Sequence, residues 1–134
     1  MASRRKTRRS LGFTLMEMMI VIAIMLILIG VAIPMYNRSV VRSREAVLHQ
    51  DLFTLHDVIQ QYTLDKQKAP QSLDDLVQAG YLKTIPKDPM TGEANWEVVQ
   101  DDTIMSADQQ DPGITDVHSA SNATSSDGTA YSTW

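Results

Sequence analysis

One acid stands at the mouth of a long apolar run. Glu17 precedes Met18 to Tyr36, 19 residues without a formal charge. An ionised carboxylate at that depth in hydrocarbon is costly, so it marks a functional site and calls for a partner. Gly12-Phe13, just ahead of Glu17, is a candidate processing point, and a cut there would leave the apolar run on the mature chain. Farther on, His49 and His56 are seven residues apart, near one another on a helix surface. A metal pair there lacks a correctly spaced third ligand, and a solvated flank is the better reading. No glycine loop for phosphate occurs, and no base is spaced to activate a serine or threonine nucleophile. These absences point away from an enzyme.

The elements that must position these residues follow from charge and hydropathy. The chain has 134 residues, a formal net charge of −4 and no cysteine. That length leaves room for one small domain beyond the apolar segment, without help from disulfides. All charges in residues 1–12 are basic, namely Arg4, Arg5, Lys6, Arg8 and Arg9. A short basic cluster before an apolar segment signals cytoplasmic retention rather than nucleic-acid binding. At about 1.5 Å per residue the run reaches roughly 28 Å, close to the hydrocarbon thickness of a bilayer. A secretory signal has a shorter apolar core, with its small-residue cleavage site after it. The expected topology is a single pass with residues 1–12 in the cytoplasm and Asn37 onward outside.

Gly12, Phe13-Thr14-Leu15, Glu17 and the apolar run ending near Pro34 together resemble the processing signal of the type IV pilin-like family, which includes the pseudopilins of type II secretion. The resemblance implies that a prepilin peptidase cuts between Gly12 and Phe13 and N-methylates Phe13. It also implies that Glu17 faces the Phe13 amine of a neighbouring subunit during assembly. A cationic amine against a carboxylate in low dielectric turns two desolvation costs into one paired interaction. Pro34 removes a helical hydrogen bond and, with Gly30, makes a soft place near the outer leaflet. It reads either as a kink that matters for the filament or as a helix boundary with Tyr36 at the interface.

Beyond Pro34 the pattern becomes amphipathic. Val41, Leu48, Leu52, Leu55, Ile59 and Tyr62 form one helical stripe. The opposite face carries Arg42, Arg44, Glu45, Gln50, Asp57, Gln60 and Gln61. One helix is therefore predicted from Phe13 to Asp65, its first half (13–36) in lipid. The remaining head domain, residues 37–134, should begin with the amphipathic helix 37–65. A short helix follows at 72–79, capped by Ser72, favoured by Asp74 and Asp75 at its positive end, and stopped by Gly80. Gly80 to Gly92 is expected to be an ordered loop, because two prolines and two glycines punctuate it. Its Gly80-Tyr81-Leu82 and Pro86-Lys87-Asp88-Pro89 resemble a block found in the major pseudopilins of type II secretion. Strands are expected near 96–100, 114–118 and 129–133, with Trp96, Val98, Val117 and Tyr131 packed on the helix and Trp134 docked back. Asp101, Asp102, Asp108 and Asp111 make the connection between the first two strands acidic.

In the major pseudopilins, the loop between the last two strands binds calcium. The resemblance assigns Asp116, Ser119, Asn122, Ser126 and Asp127 as the corresponding oxygen donors, alongside carbonyls. Calcium takes six to eight oxygens, and here serine, alanine and threonine replace most of the acids and glycines usual in that loop. A metal-free polar loop is the competing reading.

The fold expected is α+β and pilin-like: a long N-terminal α-helix, membrane-spanning in its first half, packed on a small antiparallel sheet. The function expected is that of a non-enzymatic secretion-filament subunit. Its partners would be further copies of itself, the prepilin peptidase, an inner-membrane secretion platform and minor pseudopilins. A subunit of a surface fibre and a membrane-anchored binding module that never polymerises are the alternatives.

Overall fold

The computed structural model describes residues 12–101 and 112–134. The leader residues 1–11 and the loop acids Asp102, Asp108 and Asp111 lie outside the described residues. The chain divides into two compact units, Met1–Arg38 and Ser39–Trp134.

Helix α1 runs Leu15–Lys66, 52 residues. Thr14 starts it. Its Oγ1 accepts the Glu17 backbone N–H at 3.2 Å, and its carbonyl accepts the Met18 N–H at 3.2 Å. The first satisfies a donor that a helix start would leave orphaned, and the second is the first intrahelical bond. Gln67, with φ 54°, ends the helix in the left-handed conformation. Pro34 lies inside the helix, which continues through it, so the boundary reading of Pro34 does not hold. The residue four positions before Pro34 is Gly30, whose surroundings are open. A proline ring crowds that carbonyl, and a glycine is the residue best able to yield there.

In the first unit every described residue, 12–38, is exposed. In the second unit the stripe predicted from sequence is the core from Leu48 onward, but its first member, Val41, is 43% exposed. Leu48, Leu52, Leu55, Val58, Ile59 and Tyr62 of α1 are buried with Leu76, Trp96, Ile114, Val117 and Tyr131. Helix α2, Leu73–Gln78, begins with a full capping box: Ser72 caps the Asp75 N–H, and the Asp75 carboxylate accepts the Ser72 N–H. Gly80 follows its C-cap with φ +83°. The Gly80–Gly92 loop is ordered by fixed contacts. Tyr81 Oη donates to Asp65 at 2.7 Å, and Trp96 Nε1 donates to the Pro86 carbonyl at 2.8 Å.

Strands β1 (Glu97–Asp101) and β2 (Gly113–His118) pair antiparallel, with Val98 opposite Val117, Asp101 opposite Gly113 and an irregularity between Val99 and Gln100. The start of β2 is pressed onto the chain before α2. A Cβ on Gly113 would lie 2.3 Å from that of Ala69, and Ile114 N–H donates to the Pro70 carbonyl at 2.7 Å.

Two further expectations fail. Val98 is not in the core, because β1 is the outer strand and all five of its residues are exposed. The strand expected at 129–133 is absent. A single bridge joins Thr124 to Ala130, and Tyr131–Thr133 form a 3-10 turn. The Thr133 and Trp134 N–H groups bond back to the Ala130 and Tyr131 carbonyls at 3.0 and 3.1 Å. This winding spends the donors a strand would need for a ladder. It buries Tyr131 and stacks Trp134 on His49, with ring centroids 4.1 Å apart. Trp134 docks back as the sequence suggests.

Candidate functional site

The residues singled out for chemistry fall in two places. At the start of α1, the sequence Thr14-Leu15-Met16-Glu17 fixes where the helix begins. Glu17 therefore sits in the first turn, where the positive end of the helix dipole favours a carboxylate. Phe13 precedes the helix with a side chain 79% exposed. The run that follows is apolar all round and has nothing packed on it within its own unit. A helix of that kind belongs in a membrane or among other helices. It is long and apolar enough to cross a bilayer.

The second place is in the head. Glu45 projects from α1 and is buried, at 6% relative exposure. One carboxylate oxygen accepts the Ser126 N–H at 2.6 Å and the Tyr131 Oη–H at 2.9 Å, and the other accepts the Ser126 Oγ–H at 2.6 Å. Hydrogen bonds from the Ser126 side chain and backbone hold this carboxyl below its ordinary pKa, outweighing burial, with smaller help from Tyr131 and Arg42. Burial, and then the bond to Glu45, push the Tyr131 hydroxyl up.

Two further ties close the head. Asp88 is fully buried; its Oδ1 accepts the Met90 N–H at 2.7 Å, and its Oδ2 accepts the Ser119 Oγ–H at 2.5 Å. The Pro86–Pro89 turn is thus pinned to the residue that follows β2. His56 Nε2 faces both Asp116 Oδ1 and the Val117 carbonyl, while His118 Nδ1 faces the main-chain oxygen of Trp134 at 2.6 Å. The two helix histidines are therefore not a free flank: His49 stacks on Trp134 and His56 holds β2.

Residues 7–33 match the family model described as the prokaryotic N-terminal methylation motif. Among curated relatives, the type II secretion system core protein G of Aeromonas hydrophila is 35% identical over 100 residues, covering 61% of this chain and 68% of the relative. The chain belongs to this core protein G family. The Escherichia coli (strain K12) relative of the same name is 33% identical over 103 residues, covering 63% and 70% of the two chains. The Vibrio cholerae one is 32% identical over 102 residues, covering 63% and 68%. No solved structure is a significant match.

In this core protein G the candidate calcium donors lie in β2 and in the loop after it. Three of the five donors assigned to calcium have partners inside the head. Asp116 lies beside His56, Ser119 Oγ serves Asp88, and Ser126 serves Glu45. Asp127 contributes its backbone N–H to Ser125 Oγ at 3.3 Å. Asn122 is exposed. Among the described residues no group of three or more His, Asp or Glu could hold a metal ion.

Glu45 is the residue that sequence reasoning missed, having placed it on the polar face. A signal existed. The stripe steps seven from Val41 to Leu48, and Glu45 fills that gap at the helical spacing of four and three. An acid on an apolar stripe needs buried donors, and Ser126 and Tyr131 provide them.

Proposed function

We propose that this protein is a structural, non-enzymatic subunit of a type II secretion pseudopilus. The precursor sits in the inner membrane with its basic end in the cytoplasm and its head in the periplasm, as the Lys/Arg asymmetry favours. Prepilin peptidase cuts between Gly12 and Phe13 and methylates the new amine. Glu17 of one copy then pairs with the Phe13 amine of the next, which lets both charges enter the apolar bundle. Repeated head-to-tail contacts of this heterologous kind extend into a filament rather than closing a ring. The filament works with minor pseudopilins and a membrane platform to move proteins across the outer membrane.

The observation that carries this reading is the pairing of one acid in the first turn of α1 with a helix exposed and apolar on every side. Such a helix requires an outside partner, and the acid specifies which part of that partner it meets. The test is the intact mass and amino-terminal sequence of the protein extracted from native membranes. A chain starting at methylated Phe13 is expected. A chain retaining Met1 and the basic leader, in cells that contain the peptidase, would overturn the reading.

A further inference from the structure

We propose that the loop from Ser119 to Ala130 closes on the carboxylate of Glu45 and needs no divalent cation. The loop and the helix are complementary in a definite sense. A cation site gathers lone pairs, so its loop turns carbonyl and carboxylate oxygens inward. Here the C-terminal segment turns hydrogen-bond donors inward: the Ser126 N–H, the Ser126 hydroxyl and the Tyr131 hydroxyl. They meet an anion. Bonds from neutral donors to a carboxylate are short and strong, and these are 2.6, 2.6 and 2.9 Å.

The anion is held in place by the element that carries it. Glu45 lies between well-ordered turns of α1, three residues before Leu48, which is fully buried. The loop is internally organised to present its donors. Ser125 Oγ accepts the Asp127 and Thr129 N–H groups, each at 3.3 Å, and the Ser125 N–H donates to the Thr129 carbonyl at 2.7 Å. Gly128, at φ +85°, makes the turn that these bonds require. Tyr131 N–H then returns to the Ala123 carbonyl at 3.0 Å, which sets the tyrosine ring toward Glu45. A buried carboxylate with both oxygens satisfied leaves no electrostatic demand for a metal at that point.

The test is hydrogen exchange of the peptide covering residues 119–131, measured on the full chain in detergent. Wild-type protein is compared in a calcium chelator and in millimolar calcium. Exchange rates equal within about twofold are expected, because a ligand that does not bind the native state adds no protection. Glu45→Ala should speed exchange about tenfold or more, and Ser126→Ala by a smaller factor, since it removes one of three bonds. Slower exchange of the wild type in calcium would overturn the proposal. So would unchanged protection in Glu45→Ala. If Glu45→Ala does not fold, Ser126→Ala and the two wild-type conditions decide the matter by the same readings.

Discussion

The two units solve the same problem in opposite ways. Residues 12–38 are uniformly exposed and, from Met18 to Tyr36, uncharged, with one acid in the first helical turn. Residues 39–134 bury their stripe, their aromatics and even a glutamate against their own chain. One helix, α1, contributes to both. What differs is where the partners are found. The first unit has to take its partners from outside, from lipid or from other helices, whereas the head has them within reach of its own backbone. Assembly and stability are therefore separable properties, and substitutions should sort cleanly between them.

The sharpest break would come from Glu17→Ala. Filament formation, followed by cross-linking of copies in membranes, should be lost, while the melting temperature of the head stays unchanged. A parallel fall in stability would erase the contrast between the units. Next in size is Leu55→Ala, at a position with no exposure. It should destabilise the head by about 3 kcal/mol through lost burial and a cavity, measured by denaturant unfolding, without altering membrane insertion.

Glu45→Ala should cost about 2 kcal/mol by leaving the Ser126 and Tyr131 donors unpaired. The wild type carries a matching pH signature. The folded state lowers the Glu45 pKa, so its contribution is complete above the unfolded value and is lost as pH falls through the folded one. Tyr131, Arg42 and Ser126 are the groups that set this carboxyl. Neither the tyrosine nor the arginine titrates in the acid range, so Glu45→Gln should remove this acid-labile component from a plot of stability against pH.

The smallest effect has the opposite sign. Partial burial and the charge of Asp88 raise the Asp51 pKa. Its ionised form therefore opposes folding, and its contribution worsens as pH rises through the folded value. Asp51→Asn should raise the melting temperature slightly at neutral pH, by about 0.5 kcal/mol in stability terms, and leave acid stability nearly unchanged.

Much of this was legible because it is local. Ser72, Asp74 and Asp75 announce the start of α2, whereas the cap at Thr14 went unread and α1 starts two residues after the expected Phe13. The stripe from Leu48 to Tyr62 repeats at helical spacing, and burial follows it. What escaped prediction depends on distant partners. Glu45 looks like any solvated acid until Ser126 and Tyr131 arrive from more than 80 positions away. The β-rich look of Thr129 to Thr133 gave way to a 3-10 turn, because docking Tyr131 and Trp134 onto the helix outweighs local propensity. Val98 alternates correctly for a strand, yet burial also requires a layer covering that face, and every residue of β1 is exposed.

The seating of Gly113 against Ala69 has a consequence for how this family member can change. Asp101 and Gly113 face each other across the ladder, and Gly113 is fixed from behind by residues 69 and 70. A side chain at position 113 would have to push the ladder and residues 69 and 70 apart. Position 113 is therefore closed to every residue but glycine, and a change there would be felt at once in the sheet and in the approach to α2.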